Sequence, residues 1–368
     1  MIWLTWRQFR AQAIVAAAAL AVFAIVLALT ESHMSDLYTS SGLSTCHGGA
    51  CSGLATSFLE QLSSGTGIAF LPDGSNLYVM LYFLSVLAIL AAPAITGIFW
   101  GAPLISRELE NGTFRLTWNQ SITRSRWLTV KLTLIGVAAM AVTEAFSLIQ
   151  TWWAGPIGRA VGFGGGASIL SEGRFGWFVF PSHGITPLGY AAFAFALGVT
   201  AGLLIRRPIP AMAATLAIFA VLQAIVPLWI RPNLFPTSHT TITMAASGAN
   251  VSFHANPRLT LTASIVPGQP GAWIISSGGV NAAGQPVAYV PAPCESVIVQ
   301  NMGAHPSNVG DGQTAVNNCV ASQGIRVAED YQPASHYWPL QLAETGFFLI
   351  LTAALAGYCY WRLNRRRS

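Results

Sequence analysis

The chain has 368 residues, of which 53% are hydrophobic and only 8% charged, and its mean hydropathy is +0.53. Soluble domains carry about a quarter charged residues, so this composition excludes an ordinary water-soluble enzyme. The formal charge of +5 does not point to nucleic acid, because the basic residues sit where membrane orientation puts them.

The opening MIWLTWRQFR is amphipathic at helical spacing, with Ile2, Trp6 and Phe9 on one side. Residues 1–11 are therefore read as an interfacial helix rather than a cleaved signal peptide. Apolar runs follow at 13–29, 77–105, 127–153, 188–205, 211–230 and 340–361, each near the length that crosses ~30 Å of hydrocarbon, which predicts six spans. The second contains Pro93, Gly97, Gly101 and Pro103, consistent with a kink; the Gly97–Gly101 spacing also fits close helix packing. The third carries Lys131 near its start and Glu144 inside, and the sixth carries Glu344. Only residues 206–210 separate the fourth and fifth, which forces a tight hairpin.

With the N-terminus inside, 13 of the 18 Lys and Arg fall on the inner side, so both termini are expected in the cytoplasm. The same topology puts Cys46 and Cys51 in an outer loop at 31–76, and Cys294 and Cys319 in an outer segment at 231–338. Disulfides persist in oxidising compartments, so the pairs 46–51 and 294–319 are expected to be bonded, with Cys359 alone at the inner end of the last span. A zinc site on CHGGAC lacks a fourth ligand, and no metal is expected. Residues 231–338 are rich in Thr, Ser, Asn, Gly and Pro, with strand candidates at 240–244, 259–265, 272–276 and 287–290. The fold class is thus an all-α polytopic membrane protein: helices 1–5 over 12–230, a β-rich extracellular insertion at 231–338 between helices 5 and 6, and helix 6 with a basic tail over 339–368. The Gly-rich stretch at 162–166 follows no strand and is not a phosphate loop.

The inner loop at 106–126 is the informative motif. Arg107, Glu108 and Glu110 share one helical turn, Asn111-Gly112 stops it, and Thr113 restarts a short helix over 113–120 that includes Arg115. Thr123 then caps a helix opening with Arg124 and Arg126. A short rigid helix with charged neighbours is what a membrane domain needs to receive force from a soluble motor; orientation charges on an interfacial helix without a partner give the same composition. The chain's one lysine, Lys131, follows Val130 rather than Gly, so no Walker A loop exists and any use of ATP comes through a partner.

The run GAPLISRELENGTFRLTWNQSITRSRWLTVKL, with WLTWRQFR before it and YQPASHYWPLQLAETGFF after it, resembles the membrane permease subunits of ABC-2 type transporters, specifically an actinobacterial group. The family pattern falls on Arg107, Glu108, Glu110, Gly112, Thr113, Arg124, Trp127 and Lys131. The resemblance implies a six-helix half transporter in a bacterial plasma membrane, with a coupling helix after span two docking on a nucleotide-binding ATPase subunit. It implies two permeases, identical or homologous, paired with two ATPases that hold ATP and Mg, no cofactor in this chain, and export of a substrate it does not identify. Glu144 and Glu344, the acidic residues inside the spans, are candidates for the substrate path; hydrogen-bonded carboxylates near the headgroups are the plainer alternative. The competing reading is a membrane-anchored sensor or scaffold with a ligand-binding outer domain. An intramembrane enzyme is disfavoured, since no HExxH motif or clustered intramembrane His occurs.

Overall fold

A computed structural model describes residues 2–46, 51–64, 77–110, 123–163, 173–243, 251–255, 259–263, 271–287, 289, 291, 293–294 and 317–365. The helices are α1 (Ile2–Ser40), α2 (Cys51–Ser64), α3 (Leu77–Thr96), α4 (Ala102–Glu110), α5 (Arg124–Trp153), α6 (Gly155–Gly162), α7 (Thr186–Ile205), α8 (Pro208–Ile225) and α9 (Tyr337–Arg365). A π-helical turn, Gly97–Gly101, fuses α3 to α4, and another, Val226–Ile230, extends α8. Six helical stretches among the described residues are long and apolar enough to cross a membrane: Phe9–Ser40, Leu77–Glu108, Ser125–Trp153, Thr186–Ile205, Pro208–Asn233 and Ala334–Arg365. The chain divides into two compact units, one holding these spans and one holding residues 235–337 with 162–164.

Residues 2–40 form a single uninterrupted helix, so the expected interfacial helix at 1–11 is continuous with the first span, and part of the expected loop at 31–76 is helical. Thr30 donates to the carbonyls of Val26 and Leu27, and Thr39 to those of Ser35 and Asp36, so polar residues bond to the preceding turn instead of ending it. Thr30 Oγ1 also accepts from Trp153 Nε1 at 3.0 Å, tying α1 to α5. The Cys46–Cys51 disulfide joins the end of this region to α2, whose Ala55, Phe58, Leu59 and Leu62 recur at helical spacing in one cluster with Leu27, Met34 and Tyr38 of α1.

α7 lies at the centre of the first unit, with nearly every residue from Thr186 to Leu203 buried. Its sequence AAFAFALGVTAGLL keeps small residues toward α3 and α4, and the two backbones meet without intervening side chains. A Cβ on Gly198 would lie 2.2 Å from the Gly97 carbonyl oxygen, and one on Gly97 would lie 2.5 Å from the Ala194 carbonyl oxygen. Small residues at four-residue spacing allow such contact in lipid, where packing rather than the hydrophobic effect holds helices together. Pro93 lacks a backbone donor one turn earlier, and the π turn widens the helix where it meets α7. α7 ends at Arg206, the one non-glycine with positive φ (59°) among the described residues, and α8 begins at Pro208, giving the expected tight hairpin.

The second unit contains a four-stranded antiparallel sheet, ordered β1 (Ser238–Thr243), β6 (Arg326–Gln332), β4 (Trp273–Val280), β5 (Pro286–Val287), and a hairpin of β2 (Val251–Ala255) with β3 (Leu259–Ala263). The expected strands correspond to β1, β3, β4 and the start of the last candidate, whereas β2 and the central β6 were not expected. The register pairs Ser238 with Tyr331 and Trp273 with Gln332, with a bulge between Ile274 and Ser276. The Cys294–Cys319 disulfide closes the segment before β6. On β6, Asp330 accepts from Ser276 Oγ (2.8 Å) and meets His239 Nδ1 (2.9 Å); the bond to His239 is the larger cause holding its carboxyl below the ordinary range. Its neighbour Glu329 faces the opposite, buried side with neither carboxylate oxygen hydrogen-bonded, and burial pushes its carboxyl up to about 7.

Two outcomes follow. Gly198→Ala drives a methyl into the Gly97 carbonyl and should destabilise the protein by about 1–3 kcal/mol in thermal unfolding in detergent, the range for overpacking. Gly357→Ala, at an open position inside α9, should leave the transition unlowered and raise it by up to about 1 kcal/mol. The folded state binds a proton on Glu329 more tightly than the unfolded chain, so the stability of the sheet should fall as pH rises from about 4.5 through about 7 and level off above. Hydrogen exchange of the β6 amides in the full chain checks this, and Glu329→Gln should remove that part of the pH dependence.

Candidate functional site

At the elbow, residues 106–126, α4 ends at Glu110 and the described residues resume at Thr123, whose hydroxyl accepts from the Arg126 backbone N–H and caps α5 as expected. Residues 111–122, and with them Gly112, Thr113, Arg115 and the expected short helix at 113–120, lie outside the described residues. Arg107, Glu110 and Arg126 are exposed, and Arg124 opens α5 with only its backbone described. Glu108 and Lys131 behave differently. They form an ion pair that ties α4 to α5, with Lys131 only 4% exposed and its Nζ 4.8 Å from the centre of the Trp127 ring, one turn earlier. A cation is stable at such a depth only with a partner of this kind. Below it, Phe9, Trp100, Ile105, Trp127, Leu128, Phe195, Leu203 and Leu363 form one cluster, so five helices converge behind the two ends of the elbow.

At the other end of the spans lies a buried polar core that sequence reading did not assemble. Arg231 is 1% exposed and grips Glu344 in a fork, Nε to Oε2 at 2.8 Å and Nη2 to Oε1 at 3.0 Å. Tyr190 of α7 donates to the same Oε1, and the guanidinium lies 4.1 Å from the centre of the Phe180 ring. One turn before Glu344, Gln341 accepts from the backbone N–H groups of Ile185 and Thr186 and donates to the carbonyls of Phe180 and His183. That amide caps α7 and fixes the turn at Gly184, whose φ of +68° requires glycine. Opposite charges at the end of span five and the start of span six were the available signal for the pair.

Glu344 is thus engaged on both oxygens. Glu144 of α5 is half-buried and its Oε2 has no hydrogen-bond partner among the described residues. Thr143, Ser147 and Gln150 share another face of the same helix and are fully buried; Ser147 donates to the Ser182 carbonyl at 2.9 Å. Each end of the spans thus holds one enclosed ion pair, Glu108–Lys131 by the elbow and Arg231–Glu344 at the opposite end.

Removing one member of a buried pair strands the other. Arg231→Met should cost about 3–5 kcal/mol in unfolding, whereas Arg231→Met with Glu344→Leu should cost clearly less. A double variant that costs the sum of the two single variants would mean that the fork carries no coupling energy.

A search of curated proteins and a search of solved structures each return no match to this chain. Residues 17–231, more than half of the chain, with spans two to four whole and span five as far as Arg231, match a family model described as ABC-2 membrane transporter related. The match stops at the arginine whose carboxylate partner lies on the sixth span. On this match the protein, a multi-pass chain with six membrane-length helices, belongs to the ABC-2 membrane transporter related family.

Proposed function

We propose that this chain is the membrane-spanning permease subunit of an ATP-binding cassette exporter, drawing its power from separate ATPase subunits that dock on the elbow at 106–126. The family match supports the transport role, and the observation that carries the docking site is the contrast inside the elbow. Glu108 and Lys131 lock α4 to α5, while Arg107, Glu110 and Arg126 remain exposed beside them. A push on such a segment is delivered to two spans at once, because the ion pair and the cluster behind it leave little slack.

In this reading both termini and the elbow face the cytoplasm of a bacterial plasma membrane, and the β-rich unit with its disulfide faces outward. ATP and Mg act in the partner, and the permease pairs with a second copy or a homologue. Glu144, with an oxygen left over, serves the substrate path, and Glu344 holds Arg231 in place.

The chain purified from its native membrane should bring down an ATP-hydrolysing protein in near-equal amount. Reversing the exposed charges with Glu110→Lys and Arg126→Glu should weaken that association by tenfold or more, about 1.4 kcal/mol. Recovery of no ATPase would instead favour a membrane-anchored sensor whose disulfide-closed sheet binds a ligand.

A further inference from the structure

α1 and α3 stand beside one another but touch only near their ends. At one end Phe9 meets Trp100 edge-on, with ring centroids 4.8 Å apart, and Gln12 Nε2 donates to the Phe99 carbonyl; at the other, His33 stacks on Tyr78. Between these contacts lies a groove of about 1110 Å³, backed by Val142 and Phe146 of α5. The space exists because both walls carry alanines, Ala16 and Ala19 on α1 and Ala88, Ala91 and Ala92 on α3. Its lips, including Val15, Val22, Leu84 and Ile95, are exposed, so the groove opens sideways rather than into the unit.

The polar groups along it are unevenly placed. Ser85 and Thr96 spend their hydroxyls on the Tyr82 and Pro93 carbonyls of their own helix. The full-charge group in the lining is Arg107, at the Gln12 end, exposed and without an ion-pair partner among the described residues. From Gln12 to Val26 the apolar wall runs for about 21 Å at 1.5 Å per residue, against about 15 Å for one leaflet's hydrocarbon. A slot of that length, apolar throughout and cationic at one end, has the charge and shape of an acyl chain under an anionic headgroup. A second copy's apolar helix seated in the slot would cover Arg107 without giving it a counter-charge.

We infer that this groove binds an anionic phospholipid from the leaflet at the Arg107 end, acyl chain along α1 and α3 and headgroup on the guanidinium. The inference does not depend on an ATPase partner. In the orientation proposed above, that leaflet is the cytoplasmic one, where anionic lipid is plentiful.

The test is native mass spectrometry of the purified full chain after exchange with vesicles of phosphatidylglycerol and phosphatidylcholine in equal amounts. Phosphatidylglycerol should be retained about fivefold over phosphatidylcholine, the worth of one cation near an anionic surface. Arg107→Gln should reduce the preference to near parity and Arg107→Lys should restore it, while Ala88→Trp, filling the groove, should lower retention of both lipids. Equal retention by the unaltered chain, or a preference that survives Arg107→Gln, overturns the inference. So does efficient cysteine cross-linking between two copies through Val22→Cys, which would put a second copy in the slot.

Discussion

The contact between the π turn of the second span and the glycine face of α7 sets the geometry of the first unit. In lipid, apolar side chains gain nothing by leaving hydrocarbon, so helices are held by how closely their backbones approach. Here a carbonyl of one helix rests against the Cα of the other, at Gly97 with Gly198 and at Ala102 with Gly202. α7 becomes the axle, buried on all sides, and α3, α5, α8 and α9 are laid against it. α1 stays at the rim, which is why it can stand apart from α3 and leave a slot.

The charges enclosed in that arrangement follow from the cost of burial. At the end away from the elbow, a guanidinium, a carboxylate and a phenol satisfy one another in a closed set joining α7, the end of the fifth span and α9. Such a set joins three helices firmly and tolerates few alternative arrangements. At the elbow end, the Glu108–Lys131 pair is enclosed while Arg107, Glu110 and Arg126 beside it are exposed.

Much of this was legible in the sequence because the governing terms are local. Apolar runs gave the six spans, the cysteine pairs follow from their expected compartment, and Thr123 announces its helix by residue type alone. What was not legible depends on partners far apart in the chain. Glu344 finds Arg231 across 113 residues and Lys131 finds Glu108 across 23. β6 was passed over because Glu329 and Asp330 interrupt the alternation that marks a strand, although Val327, Glu329 and the neighbouring strands bury it. The continuation of α1 to Ser40 was hidden for a similar reason: the apolar run stops before Glu31, while Met34 and Tyr38 beyond it pack against α2, a partner distant in the chain.

The enclosure of Lys131 reaches beyond packing. It is the one lysine in the whole sequence, and in the folded chain its amine is locked against a carboxylate and a tryptophan ring. Reagents and modifying enzymes that seek a lysine amine therefore meet no reachable side chain on this protein. Any such mark found on an assembly containing it belongs to another component, or to copies of this one that have come unfolded.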